Sequence, residues 1–287
     1  MKRVRGVIGK WRSLSTTPER RLKNRVAFRR HVSPSSSVKL TIKLKGIESV
    51  SVTELVDDPT KASRGGWILS RGDPDPIFAS RDLADVYERL SPGFEGRCTA
   101  PLLVDKKHKK IVSNESSEIC RMLNALPGTH GIDLYPDHLS GVIDETNEWV
   151  YTLLSNGVYQ CGFSTSQRAY DDASASVRLG LQRADDLLSN YDFLCGSMLT
   201  ESDVRLLPTA LRFDGVYAPL FRAGGAHLRI RNYPSLHKWL KRCWQFPAVK
   251  ESVDLAKANG SYYSNLFPLN PSGIVPSAVT PSGLGLE

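Results

Sequence analysis

Ala100-Pro-Leu-Leu-Val-Asp105, Lys106-Lys-His-Lys-Lys110, Ile111-Val-Ser113 and Asn114-Glu-Ser-Ser-Glu-Ile-Cys-Arg-Met-Leu123 form one uninterrupted run. An apolar segment of strand length comes first, then a charged turn, then a short returning strand. From Glu115 the spacing turns helical, with Ile119, Met122 and Leu123 on one side. Working outward, Ser49-Val-Ser-Val-Thr-Glu-Leu-Val56 reads as a strand by its β-branched content. Val38-Lys-Leu-Thr-Ile-Lys-Leu44 alternates as a strand does, yet the Lys-Gly-Ile that follows also suits the end of a helix. Residues 57–76, rich in Gly, Pro and Asp, read as a long loop.

The order β–α–β, hairpin, helix defines an α/β domain of the thioredoxin type, assigned to residues 33–125. Beyond Tyr135-Pro136 the rhythm becomes helical, and residues 137–267 read as an all-helical domain. Val142, Ile143, Trp149, Val150 and Leu153 carry helical spacing over residues 139–154. Residues 166–190 form a long amphipathic helix with Val177, Leu181, Ala184 and Leu188 inward. Thr200 and Asp203 stand at the spacing of a reciprocal helix cap. A further helix spans residues 236–246 and ends before Pro247. The last stretch, residues 268–287, has Pro and Gly without periodicity and reads as an irregular surface tail.

The formal charge of +8 is local rather than general. Residues 1–32 hold 11 of the 38 Lys and Arg and one of the 30 acids, so the remainder is near neutral. No basic run is interleaved with aromatics as a nucleic-acid stacking surface requires, so nucleic acid is not the expected partner. A basic, acid-poor N-terminus containing Ser and Thr reads as a transit peptide or as a solvated basic extension. The corresponding locations are a mitochondrion or plastid, or the cytoplasm. No apolar run reaches the roughly 18 residues of a membrane span. Five widely spaced cysteines without a Cys-x-x-Cys pair argue against a disulfide framework, and six scattered histidines against a metal site. The thiols read as small core residues of a protein in a reducing compartment.

Several longer motifs carry a family resemblance. Arg97-Cys-Thr-Ala-Pro101 looks like the loop in which glutathione transferases place a cis-proline. Fourteen residues on, Glu115-Ser116 matches their pair that grips the γ-glutamyl end of glutathione. A helix N-terminus favours a carboxylate there, and plain helix capping is the alternative use of the pair. Asn147-Glu-Trp-Val-Tyr151, Asn156-Gly-Val-Tyr-Gln-Cys-Gly-Phe163, Arg212-Phe-Asp-Gly-Val-Tyr217, Tyr262-Tyr263 and Asn270-Pro-Ser-Gly-Ile-Val-Pro276 resemble the xi-class glutathionyl-hydroquinone reductases. Gly66-Trp67 and Pro74-Asp-Pro76 fit as well. The resemblance implies an all-α transferase C-terminal domain, a homodimer, and glutathione as co-substrate with no metal. It implies glutathione contacts from Trp67, Cys98, Thr99, Ala100, Pro101, Glu115 and Ser116. Tyr159 would be a proton donor over a quinone pocket shared with Tyr262, and Tyr217 with Tyr262 or Tyr263 would stabilise a thiolate. The partner would be an aromatic or quinone-type electrophile.

The pattern breaks at the nucleophile. The reductases attack a glutathionyl-hydroquinone with a cysteine of a Cys-Pro motif after the first strand. Counting back from Lys45-Gly46 without a gap reaches Val32, and allowing one deletion reaches Ser33 before Pro34. Serine cannot form a disulfide, so thiol exchange through this position is closed. Arg25-Val-Ala-Phe-Arg-Arg-His31 carries more charge than a buried first strand accepts, which predicts that the first strand and the Cys-Pro motif are missing as a block. The expected function is a glutathione-dependent transferase resembling the reductases, with cysteine chemistry lost or weak. The rival is a non-catalytic scaffold or ligand carrier on the same fold.

Overall fold

The computed structural model describes residues 25–30, 36–225, 227–266 and 268–287. A five-stranded sheet opens the fold: β1 (Arg25–Arg30), β2 (Val50–Asp57), β3 (Trp67–Leu69), β4 (Leu102–Asp105) and β5 (Lys110–Ser113), in the order β3-β2-β1-β4-β5. β1 runs parallel to β2 and antiparallel to β4. The expectation of a missing first strand is therefore corrected: the basic segment itself fills the centre of the sheet. Its place is set by the backbone ladder, to which every residue except proline brings one donor and one acceptor whatever its side chain. The basic extension read over residues 1–32 accordingly overlaps the sheet from Arg25 onward.

Leu102, Leu103 and Val104 are each 0% exposed, and the pleat divides them between two cores. Leu103 joins Val38, Ile42, Ile119, Cys120 and Leu123 from α1 (Ser36–Lys45) and α3 (Ser116–Asn124). Leu102 and Val104 join Leu83, Val86 and Tyr87 from α2 (Leu83–Leu90) on the opposite face. The sheet is thus covered on both sides.

The alternating segment 38–44 is helix, not strand. Its apparent period of two comes from burial on two sides of α1, since Val38 and Ile42 face the sheet while Leu40 and Leu44 join the second domain's core. Each pair lies four residues apart, one helical turn. The helix stops in a Schellman turn, with Ile47 N–H on the Ile42 carbonyl (3.0 Å) and Gly46 N–H on that of Lys43 (3.2 Å). Gly46 has φ +65°, and a Cβ there would stand 2.1 Å from Thr129 Oγ1. Two elements interrupt the region read as loop or passed over. β3 lies within it, and α2 follows it, capped by Asp82 accepting from Asp85 N–H.

The second domain comprises α4 (Ser140–Trp149), α5 (Gly157–Phe163), α6 (Gln167–Leu188), α7 (Glu201–Arg212), α8 (Pro234–Trp244), α9 (Pro247–Ser252) and α10 (Leu255–Asn265). The expected helix over 139–154 changes hand-over at Trp149 into a wider π-type turn, Val150–Ser155. Val177, Leu181, Ala184 and Leu188 of α6 are buried as the spacing requires. α7 is the central helix, and Thr200 with Asp203 forms the reciprocal cap that the sequence spells. Asp203 is fully buried and accepts from Leu194 N–H (3.0 Å), Thr200 N–H (2.9 Å), Thr200 Oγ1 (3.1 Å) and Trp239 Nε1 (2.8 Å). Pro247 begins α9 rather than merely ending α8. The tail also departs from a surface course, because Leu284 and Leu286 return into the helical core and the Leu284 carbonyl meets His237 Nε2 at 2.8 Å.

The domains are joined by a charged knot. Glu201, 3% exposed, pairs with Arg121 of α3 (3.0 Å) and with Arg205, while Arg121 also pairs with Asp144 and lies 4.2 Å from the Tyr135 ring. Among the described residues no helix is long and apolar enough to cross a membrane. No group of three or more His, Cys, Asp or Glu among them is placed to hold a metal. All five cysteines are free, and only Cys98 is not fully buried.

Candidate functional site

The loop before β4 contains a cis peptide between Ala100 and Pro101. A small network holds it. The Tyr87 hydroxyl donates to the Thr99 carbonyl (2.7 Å), and Asn114 Nδ2 donates to the Tyr87 oxygen (3.2 Å) and to Thr99 Oγ1 (3.3 Å). Burial pushes the Tyr87 phenol up to about 12, so it stays a donor throughout the ordinary pH range. Tyr87 and Asn114 were not singled out in the sequence. Asn114 stands directly before Glu115, which was the available signal.

Trp67, Cys98 and Ala100 all pack against the core beneath α2. Their closeness depends on Gly65, where φ is +92° and a Cβ would lie 3.0 Å from the Cys98 carbonyl and 3.6 Å from Trp67 Cδ1. Burial raises the Cys98 thiol pKa, with Arg64 opposing, so this cysteine is no low-pKa thiolate. Glu115 is the residue before α3 and Ser116 the first within it. Glu115 N–H donates to Ser113 Oγ (3.1 Å), and the exposed Glu115 side chain makes no cap bond to the helix. The first-turn N–H groups of a helix have no intrahelical partners, so this end offers donors to a carboxylate.

The tyrosines form the second half. Tyr159 of α5, Tyr262 of α10 and Tyr217, at the end of the π-type turn Phe213–Tyr217, bring their hydroxyls together. The oxygens of Tyr159 and Tyr262 are 2.5 Å apart, those of Tyr217 and Tyr262 2.9 Å, and those of Tyr159 and Tyr217 3.3 Å. Phe221 packs edge-on against all three rings at 5.3 to 5.8 Å. Arg212 is buried beside the cluster, and although burial disfavours its charge, the neighbouring Tyr217, Tyr262 and Tyr159 raise its pKa overall. Tyr263, the alternative to Tyr262, is not in the cluster, and its hydroxyl donates to the Gly215 carbonyl (3.3 Å). Adjacent residues on a helix point about 100° apart, so one of the pair had to face away. Arg212 and Phe221 were missed, although Arg212 opens a motif singled out in the sequence.

A side-chain bond joins the two halves. Ser261, beside Tyr262, donates from Oγ to Asp57 Oδ2, and Asp57 is the cross-strand partner of Trp67. Ser33 lies outside the described residues, as does Val32; in sequence both stand between the end of β1 and the start of α1.

The tyrosine cluster has a consequence at high pH. Burial is the chief cause holding the Tyr159 and Tyr217 phenols well above their usual value. Unfolded phenols release protons near pH 10 while the folded ones keep them. The stabilisation is therefore complete below about pH 10 and is lost as pH rises toward the folded values. The expected loss by pH 11 is about 2 to 3 kcal/mol for the two groups. Urea midpoints from pH 8 to 11 check this: the wild type should fall more steeply than the Tyr159→Phe/Tyr217→Phe protein, and parallel curves would refute it.

A family model for the glutathione S-transferase C-terminal domain matches residues 167–242. Glutathionyl-hydroquinone reductase YqjG of Escherichia coli (strain K12) is 39% identical over 243 residues, covering 81% of this chain and 72% of that one. The crystal structure of glutathione transferase Xi 1 from Trametes versicolor superposes with a TM-score of 0.83 at 35% identity, over 94% of this chain and 95% of that one. The glutathione-bound structure of YqjG, a glutathione transferase homolog from Escherichia coli K-12, gives 0.80 at 35% identity, over 88% and 83%. Thioredoxin-like sheet, helical second domain and these likenesses agree. The chain belongs to the glutathione transferase superfamily, in its Xi class.

Proposed function

We propose that the protein is a glutathione-dependent enzyme of the glutathionyl-hydroquinone reductase type in which glutathione's own thiol, not a protein cysteine, is the reactive sulfur. The observation that carries this is the cis-Pro101 loop, braced by Tyr87 and Asn114, beside a helix start bearing Glu115 and Ser116. In this reading the backbone before Pro101 pairs with the cysteinyl group of glutathione. Ser116 and the first-turn amides take the γ-glutamyl carboxylate, and Glu115 takes its α-ammonium. Trp67, reaching the Cys98 loop across Gly65, closes one wall. The tyrosine hydroxyls then face the electrophile, an aromatic or quinone-type ring, and stabilise negative charge on its oxygen. Serine at position 33 adds at most a hydrogen bond to the glutathione thiolate, so exchange through a protein–glutathione disulfide does not run there.

Calorimetric titration of glutathione tests the reading. Saturable binding is expected, weakened about tenfold by Ser116→Ala, the loss of one charge-assisted hydrogen bond, and by more in Glu115→Ala. No binding at millimolar glutathione would defeat it and favour the scaffold alternative, which the serine at the nucleophile position motivates.

A further inference from the structure

α10 touches both halves of the site, and its helical period assigns each contact to a face. Ala258 and Tyr262, one turn apart, are buried in the core of the second domain, where the Tyr262 hydroxyl meets its two neighbours. Lys257 and Ser261, also one turn apart, stand about 100° round the helix and meet β2 instead. Lys257 Nζ lies 3.9 Å from Glu54 Oε2, and Ser261 Oγ donates to Asp57 Oδ2. The two contacts differ in weight. Lys257 is exposed, and an ion pair of that length in water holds little. The Ser261 bond is part-buried and ends on a carboxylate, which makes it the stronger kind.

A serine inside a helix has a closer partner within reach, the carbonyl one turn back. Ser264 of the same helix takes it, donating to the Gly260 carbonyl at 2.6 Å. Ser261 crosses to the other domain. Asp57, which receives its proton, is the last residue of β2 and pairs across the ladder with Trp67, the first residue of β3. β3 is a slight element. It has three residues, lies at the edge of the sheet, and is entered through Gly65 and Gly66, both at positive φ (+92° and +72°). An edge strand with so few pairs opens at low free energy, so whatever steadies Trp67 also steadies Asp57 opposite it.

We propose that Ser261 and Asp57 are positioning residues that tie α10 to the strand pair bearing Trp67, so that glutathione seated against Trp67 firms the helix that holds Tyr262. The inference rests on the reading of Trp67 as one wall of the glutathione site, and the two can fail separately.

Amide hydrogen exchange of the full chain, read by mass spectrometry, tests it. Without glutathione, Ser261→Ala should speed exchange in residues 255–265 on the order of tenfold and leave residues 167–188 unchanged. Ser261→Thr keeps the hydroxyl and should exchange as the wild type does. Adding Ser261→Ala to Asp57→Ala should speed residues 255–265 no further than Asp57→Ala alone. Saturating glutathione should slow this segment severalfold in the wild type and in Ser261→Thr, but not in Ser261→Ala. Faster exchange spread equally over residues 167–188 would assign the bond to general stability and overturn the proposal. Effects of the two Ala changes that add would do the same, and so would slowing by glutathione that survives in Ser261→Ala or is missing from a wild type that binds it. A wild type that binds no glutathione sinks the reading of the Trp67 wall, and exchange in the free protein then decides whether Ser261 ties the helix down.

Discussion

Replacing Asp203 with Ala is expected to cost the fold about 4 kcal/mol and to lower the melting temperature by about 10 °C. The carboxylate is fully buried at the start of α7 and accepts four hydrogen bonds. Two come from Thr200, which it caps, one from the backbone of Leu194, and one from the indole of Trp239 on α8. Removing it orphans those donors in an apolar interior, where each loses water and gains nothing. Burial raises the Asp203 pKa and its hydrogen bonds oppose that rise, so the four donors are what keep a carboxyl tolerable here. Asp203→Asn keeps the shape but can accept through only one oxygen, so an intermediate loss is expected. A thermal melt of both variants decides the matter, and an Ala variant within 2 °C of wild type would remove Asp203 as the pin of the helical domain.

Ser33→Cys is expected to produce the opposite kind of change, a gain. A thiol at this position can be trapped as a mixed disulfide with glutathione, visible as one added glutathione in the intact mass. Reduction of a glutathionyl-hydroquinone should rise by on the order of 10²-fold or more, because a thiolate is a competent nucleophile and a serine hydroxyl is not. Ser33 lies between β1 and α1 in sequence, the connection at which the family resemblance implies a nucleophile. Val32→Cys is the control for the gapless count. Gain in Val32→Cys alone would move the position by one residue. No adduct in either would mean that the segment no longer approaches glutathione.

Much of the architecture was legible because period and burial coincide. α6 is buried along one stripe, and the β4–β5 hairpin with α3 follows the run from Ala100 to Leu123 almost residue for residue. The cap at Thr200 and Asp203 was readable from two residues alone. Where reading failed, two signals overlapped. α1 imitates a strand because it is buried on two sides, and β1 hides because three arginines among six residues contradict the expectation for a central strand. α2 is short and follows a Gly- and Pro-rich stretch whose turn signals mask the helical spacing of Leu83, Val86, Tyr87 and Leu90 behind the Asp82 cap. Within the site, family motifs located Tyr159, Tyr217 and the Pro101 loop, but only coordinates choose Tyr262 over Tyr263 or bring in Arg212. The burial of Arg212 has no sequence signature, because two of the three tyrosines beside it, Tyr159 and Tyr262, come from α5 and α10, some fifty residues away on either side.

The central position of β1 has a bearing on how the chain is made. Its parallel partner β2 follows about twenty residues later, but β4, which closes its other edge, begins only at Leu102. At synthesis rates of roughly 5–20 residues per second, that edge waits on the order of 4–15 s for its neighbour. An unpaired strand edge invites pairing with another nascent chain. Charged side chains are the residue type that discourages such pairing, and β1 has three arginines among its six residues.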